Sequence, residues 1–285
     1  MPSSPRRLPS PLVRRRLLLG AAWAAAASAW AAPRVAPRAE GPEVGVDPAL
    51  VASGLTARWS QAMQRDLGWT ARWTPLPSGV LLRQLEQGEV DMALYLSHPL
   101  AARLARQGLI HDQHPLARTE VLLVGPAQDA AGIRSETDPT RALRQVLAAH
   151  AAGAALWQPP PADSALAALV EGLGLGPGIG APPPQARGKL LADTPYRLVT
   201  QAEWLAEQAA RGRAPGRNGN SGSTGGAPTS RVWLQGGPGL HLDCELARSF
   251  RARHPGARLL VQWLQGPLGR QAFQASAPAW QVLQG

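Results

Sequence analysis

Residues 69–108, WTARWTPLPSGVLLRQLEQGEVDMALYLSHPLAARLARQG, switch repeatedly between two hydrophobic periods. Trp69, Ala71 and Trp73 alternate with Thr70, Arg72 and Thr74, the two-residue period of a strand, and Pro75 ends it. Ser78-Gly79 opens a helix through Leu81, Leu82 and Leu85, and Gly88 closes it. Met92–Leu96 has the length and apolarity of a buried strand. Ser97 is placed to cap the next helix, with Pro99 in its first turn, Leu100 and Leu104 on its face, and Gly108 beyond it.

The alternation extends in both directions. Residues 43–46 form a short extended segment, and Val51, Leu55, Trp59 and Met63 make one helical stripe that stops at Gly68. Strand and helix thus alternate through 43–108, which predicts an α/β fold with a mostly parallel sheet. Downstream, Val121-Leu122-Leu123-Val124 is apolar throughout, as in a strand covered on both faces.

A second half repeats the theme. A helix after Thr140 carries Leu143, Val146, Leu147 and His150, and residues 154–157 form a short strand. Pro159-Pro160-Pro161 leads to a helix starting near Asp163-Ser164. Thr200 and Glu203 form a T-x-x-E capping box on a helix holding Trp204 and Leu205. Residues 212–230 are rich in Gly and carry no large apolar side chain, which predicts a disordered loop. Residues 241–249 read as a strand, and two helices follow around 259–264 and 268–273. Two successive α/β units predict two lobes with a cleft between them. Lobe I is expected over 42–118 plus 251–285, and lobe II over 119–250.

The N-terminus reads as an export signal. Arg6, Arg7, Arg14, Arg15 and Arg16 form a basic region without a carboxylate, an apolar run from Leu17 to Trp30 follows, and Ala29-Trp30-Ala31 is a cleavage pattern. Residues 1–31 are therefore expected to be removed by a Sec or twin-arginine route, leaving a flexible leader over 32–41 and a periplasmic protein. The apolar run is too short to span a bilayer, which needs about 20 residues. No stable membrane insertion is expected after cleavage. Losing five arginines halves the formal charge of +10. What remains is too modest for a nucleic-acid-binding face. Cys244 is the single cysteine, so no intramolecular disulfide can form.

Several segments, taken in order, resemble bacterial extracytoplasmic solute-binding proteins, in particular the tungstate/molybdate branch. They are Ala93–Leu96, Gln107-Gly108-Leu109, and Pro115 through Glu120-Val121-Leu122-Leu123-Val124-Gly125-Pro126. Asp129-Ala130-Ala131-Gly132-Ile133, Tyr196-Arg197-Leu198-Val199-Thr200 and Trp204-Leu205-Ala206 continue the match, and Trp263-Leu264 with Gly269-Arg270-Gln271 completes it. The resemblance implies a two-lobed periplasmic-binding fold of type II that closes on a small solute. It also implies delivery of that solute to a membrane ABC permease by a monomer that is not an enzyme and needs no cofactor.

It further implies where the ligand lies. The first anion-binding element, a Thr/Ser-rich turn, corresponds to Asp47-Pro48-Ala49-Leu50 ahead of Ser53-Gly54-Leu55. Its hydroxyls are replaced, and Asp47 would repel an oxyanion. The second, a Gly-Thr-Gly turn, corresponds to Pro77-Ser78-Gly79, where Ser78 is either a ligand contact or an N-cap. The third keeps Ser164, but its Arg and Thr positions hold Pro160 and Leu166. Ser53, Ser78, Gly79, Ser164, Tyr196 and Asp47 are the candidate ligand residues, and a cleft so lined suits a neutral or cationic solute. The alternative is a non-transport sensory or interaction protein with a degenerate cleft.

Other chemistries find less support. His111-Asp112-Gln113-His114 offers metal-ligating types without a third ligand at a recognisable spacing and reads as a solvated loop. Cys244 and His241, three residues apart in a strand, point to opposite faces and do not make a thiol–imidazole pair. The tract Gly172–Gly180 lacks the G-x-G-x-x-G register.

Overall fold

The computed structural model describes residues 41–175, 194–213, 230–237 and 239–283. The export signal, almost all of the leader, the tract beyond Leu175 and most of the 212–230 loop lie outside them. Residues Glu40–Gly285 pack as one compact unit.

Three parallel strands and the helices that leave them make the first part. Strand β1 (Glu43–Val46) pairs in parallel with β2 (Arg72–Pro75) on one side and β3 (Met92–Leu96) on the other. Helix α1 (Pro48–Ala52) follows β1, and α2 (Leu55–Leu67) follows α1. The single stripe predicted from Val51 to Met63 is thus broken, because Gly54 takes a left-handed φ of 74° and restarts the helix. Leu55, Trp59 and Met63 remain buried while Val51 is left exposed. Helix α3 (Ser78–Gln87) leads into β3, and Gly88 ends it with a φ of 76°. Helix α4 (Pro99–Arg106) is capped by His98 rather than by Ser97: the His98 Nδ1 accepts from the Leu100 N–H at 3.2 Å. Ser97 faces the neighbouring strand, its hydroxyl accepting from the Asp243 N–H.

Strand β4 (Ile110–Pro126) is 17 residues long and changes partners on the way. Up to Glu120 it pairs antiparallel with β7 (His241–Ser249), which also lies beside β3. From Val121 it pairs with β5 (Arg197–Thr200) and β6 (Ser230–Gln235). A short β8 (Gln281–Val282) joins at Ala117 and Arg118. The sheet order is β2-β1-β3-β7-β4-β5. Among the named strands parallel pairing is confined to β2-β1-β3, and the described pairs around β7 and β4 are antiparallel. Val121 to Val124 are all buried, as their uniform apolarity requires.

Helices α5 (Pro139–Ala151), α6 (Ala165–Gly172) and α7 (Gln201–Arg213) pack about the second part, and α8 (Gly256–Gln265) and α9 (Pro267–Gln274) return to the first. The segment 154–157 contributes one bridge, Trp157 beside Tyr196. His111 to His114 lie in β4 at a bulge, not in a loop: Asp112 has a φ of 54° and pairs with Arg248 at 2.8 Å. Trp59 anchors the first core. Its ring stacks on Trp73 at 5.9 Å, meets Phe273 edge-on at 5.2 Å, and its N–H donates to the Gly269 carbonyl.

Candidate functional site

The carboxyl ends of β1 and β3 and the first turns of α1 and α3 meet at Asp47. Its backbone N–H donates to the Leu94 carbonyl at 2.9 Å, and its side chain caps α1 by accepting from the Ala49 N–H at 3.1 Å. The other carboxylate oxygen accepts from the Ser78 hydroxyl at 2.6 Å. Ser78 Oγ in turn accepts from the Leu96 N–H at 2.9 Å. Burial pushes the Asp47 carboxyl up to about 6; the bonds from Ser78 and Ala49 oppose that shift and the charge of Glu203 adds to it. Ser78 is completely buried with its donor and its acceptor both engaged by protein.

Gly79 begins the contact with the second half of the chain. Its N–H donates to the Asp163 carbonyl at 2.8 Å, so a helix-terminal donor of the kind that holds anions is already satisfied by backbone. A Cβ at Gly79 would lie 2.8 Å from that oxygen and 3.2 Å from the His98 Nε2. Arg83, one turn on, pairs with the Asp163 carboxylate at 3.0 Å. Burial and the Arg83 charge hold the His98 imidazole below its ordinary value, against the pull of Asp163 and Glu171.

The side chains of the other candidate residues make their hydrogen bonds elsewhere. Ser53 Oγ donates to the Leu50 carbonyl at the end of α1. Ser164 caps α6, accepting from the Ala167 N–H at 3.1 Å and donating to the Pro161 carbonyl at 2.7 Å. Tyr196 is completely buried, its ring filling the space beside Gly125, and its hydroxyl bonds the backbone at Ala131 and Gln128. Asp47, Ser78 and Gly79 are therefore brought together, and the Gly79–Asp163 bond sets the Ser164 backbone beside them while its hydroxyl serves the cap of α6; Ser53 and Tyr196 bond elsewhere.

A cavity of about 470 Å³ opens at the far end of α1. Ala52 of α1 forms one side, the segment 158–161 with Leu166 a second, and β5 with α7 a third. Pro160 and Leu166, which stand where the resemblance places an Arg and a Thr, both face it and make that wall apolar. Its charged groups are ones the sequence did not single out for this purpose: Arg197, Glu203 and Glu207. Arg197 donates to Glu207 at 2.5 Å. Glu203 closes the capping box, one carboxylate oxygen accepting from both the N–H and the hydroxyl of Thr200 at 2.9 Å, while Thr200 Oγ1 accepts from the Glu203 N–H. The capping box was legible in the sequence, but its position on a cavity wall was not.

Cys244 is completely buried, and burial raises its thiol pKa, so the sulfur is unsuited to act as a thiolate nucleophile. Among the described residues, no group of three His, Cys, Asp or Glu side chains is arranged to hold a metal ion. No helix among them is long and apolar enough to cross a membrane.

No family model and no curated protein matches the sequence. Solved structures do match the fold. A periplasmic protein provisionally described as metal-binding superposes with a TM-score of 0.65 at 16% identity, over 86% of this chain and 97% of that one. The tungstate-binding protein TupA of Desulfovibrio alaskensis gives 0.61 at 16% identity, over 87% of this chain and 100% of that one. The tungstate ABC transporter structure from Geobacter sulfurreducens gives 0.59 at 16% identity, over 82% and 97%. The chain has the two-lobed α/β architecture of type II periplasmic-binding proteins.

Proposed function

We propose that the chain is an exported, extracytoplasmic solute-binding protein that captures a small solute between its lobes and presents it to an ABC-type importer. The observation that carries this reading is the 470 Å³ cavity, bounded by α1 from the first part and by β5, α7 and the 158–161 segment from the second. Its volume is that of a small-molecule site, roughly 300–1,000 Å³. In this reading the lobes join where β4 changes partners near Val121, and β7, which pairs with β3, goes with lobe I rather than with the expected 119–250. A ligand that bridges the two walls would favour the closed state, which is what a permease has to recognise. The protein acts in the periplasm as a monomer after cleavage behind Ala31.

A second reading is favoured by one contact. Where an oxoanion would take the Gly79 N–H, the Asp163 carbonyl already does. That arrangement suits a sensory or interaction protein whose oxoanion site has degenerated, and it weighs against tungstate or molybdate as cargo.

Thermal-shift measurements on the mature chain test both. A ligand that binds the folded state raises stability by RT ln(1 + [L]/Kd). The panel is tungstate, molybdate, common amino acids, polyamines and sugars. A saturable shift with one solute class supports capture; no shift with any of them favours the second reading. Export is tested separately by the mass of the periplasmic form, which should begin at Ala32.

A further inference from the structure

We propose that the cavity between α1, β5 and α7 takes an organic zwitterion of amino-acid type, its carboxylate on Arg197, its amine on Glu203 and its hydrocarbon against the proline wall. This rests on the solute-binding reading and names the cargo class for it.

The Arg197 side chain is only 23% exposed, and its sole protein partner among the described residues is Glu207, reached through one NH2 group. A guanidinium has five N–H donors in a planar fork, so Nε and the other terminal nitrogen are left without a protein acceptor. These open nitrogens are not among the buried unsatisfied atoms, so they face the solvent of the cavity and are available to a ligand, and a carboxylate fits that fork with two parallel bonds.

Glu203 supplies the opposite sign. One of its oxygens holds Thr200, and no cation among the described residues pairs with it. Glu207 differs, because Arg197 and, at 3.8 Å, Arg211 already offset its charge. The field of Glu203 also reaches the buried Asp47 and disfavours its ionisation. A ligand ammonium at Glu203 would relieve both. The rest of the wall includes hydrocarbon from Pro159, Pro160, Leu166, Val199 and Ala206, against which a side chain branching from the charged carbon can pack. A compact four-oxygen anion would leave most of 470 Å³ empty and would bring no partner for Glu203.

The test is calorimetric titration of the mature chain with L-leucine, with 4-methylpentanoate (the carboxylate without the amine) and with isoamylamine (the amine without the carboxylate), backed by a thermal-shift panel of the common amino acids and tungstate. The expected result is saturable binding of at least one amino acid, weakened by roughly thirtyfold or more in Arg197→Gln and in Glu203→Gln, with Arg65→Gln unchanged. Circular dichroism and melting temperature establish that each variant is folded. Equal affinity for an analogue lacking either charged group overturns the inference. So does tungstate binding without any amino acid, but that outcome leaves solute capture standing. Silence across the whole panel removes both.

Discussion

The Asp47 carboxylate accepts a 2.6 Å hydrogen bond from the hydroxyl of Ser78, across the carboxyl ends of β1 and β3. Through Leu96 N–H on Ser78 and Ala49 N–H on Asp47, these two side chains fasten two helix starts to two strand ends. They do so at the edge where open α/β sheets usually place their ligands. The polar groups of these two side chains are engaged by protein, and the open cavity borders the end of α1 at Ala52.

Asp47 makes stability fall as pH rises. Its carboxyl, pushed up from 3.8 to about 6, keeps its proton in the folded state at pH values where the unfolded chain has lost it. Its stabilising contribution is therefore complete below about 4 and lost as pH climbs through about 6, on the order of 3 kcal/mol in all. Urea unfolding of the native chain and of Asp47→Asn, measured in parallel from about pH 4 to about pH 7, should show the native chain losing ground to the variant as pH increases. Parallel curves would contradict the shift.

Gly79→Ala should destabilise the protein despite its helical position. A Gly-to-Ala change inside an exposed helix gains about 1 kcal/mol. Here the added Cβ would sit 2.8 Å from the Asp163 carbonyl oxygen, on backbone that has to move. A net loss of about 1–3 kcal/mol is expected. Arg83→Gln, which removes only the half-exposed pair with Asp163, should cost less than about 1 kcal/mol. Thermal melts of the two variants check both, and a stabilised Gly79→Ala would mean the seam is looser than the geometry indicates.

Thr200→Ala should cost about 1 kcal/mol by removing the cap on α7. Because Glu203 then loses one of the groups that hold its carboxylate, ligand affinity should fall along with stability. Unfolding and titration of the same variant separate the two effects: a stability loss with unchanged affinity would place Glu203 outside the binding site.

Cys244 should be inert in the native state. The thiol is completely buried, paired by strand register with Leu96 on one side and Ala117 on the other, and its pKa is raised. An aromatic disulfide reagent should label it only after denaturant is added. Rapid labelling of the folded chain would show that this strand opens.

The order and type of most elements follow from residue patterns along the chain. Those signals are local: the period of Leu81, Leu82 and Leu85, the stops at Gly68 and Gly88, and the Thr200–Glu203 box lie within a turn or two of what they control. Local rules also failed where two neighbours competed. His98 took the cap that Ser97 was placed to supply, and Gly54 cut a stripe that hydrophobicity alone would have continued. What only the tertiary structure decided depends on partners far apart in the chain. Strand β4 changes neighbours at Val121 because β7 starts opposite Glu120 whereas β5 and β6 finish opposite Val121 and Leu122, which no pattern within β4 records. The Ser78 hydroxyl is engaged because Asp47, thirty-one residues earlier, came within 2.6 Å of it. Arg197 and Glu203 became the charged poles of a cavity only when α1 and the 158–161 segment closed over β5 and α7, since burial and open donors are properties of the assembled walls and not of any residue's sequence neighbours.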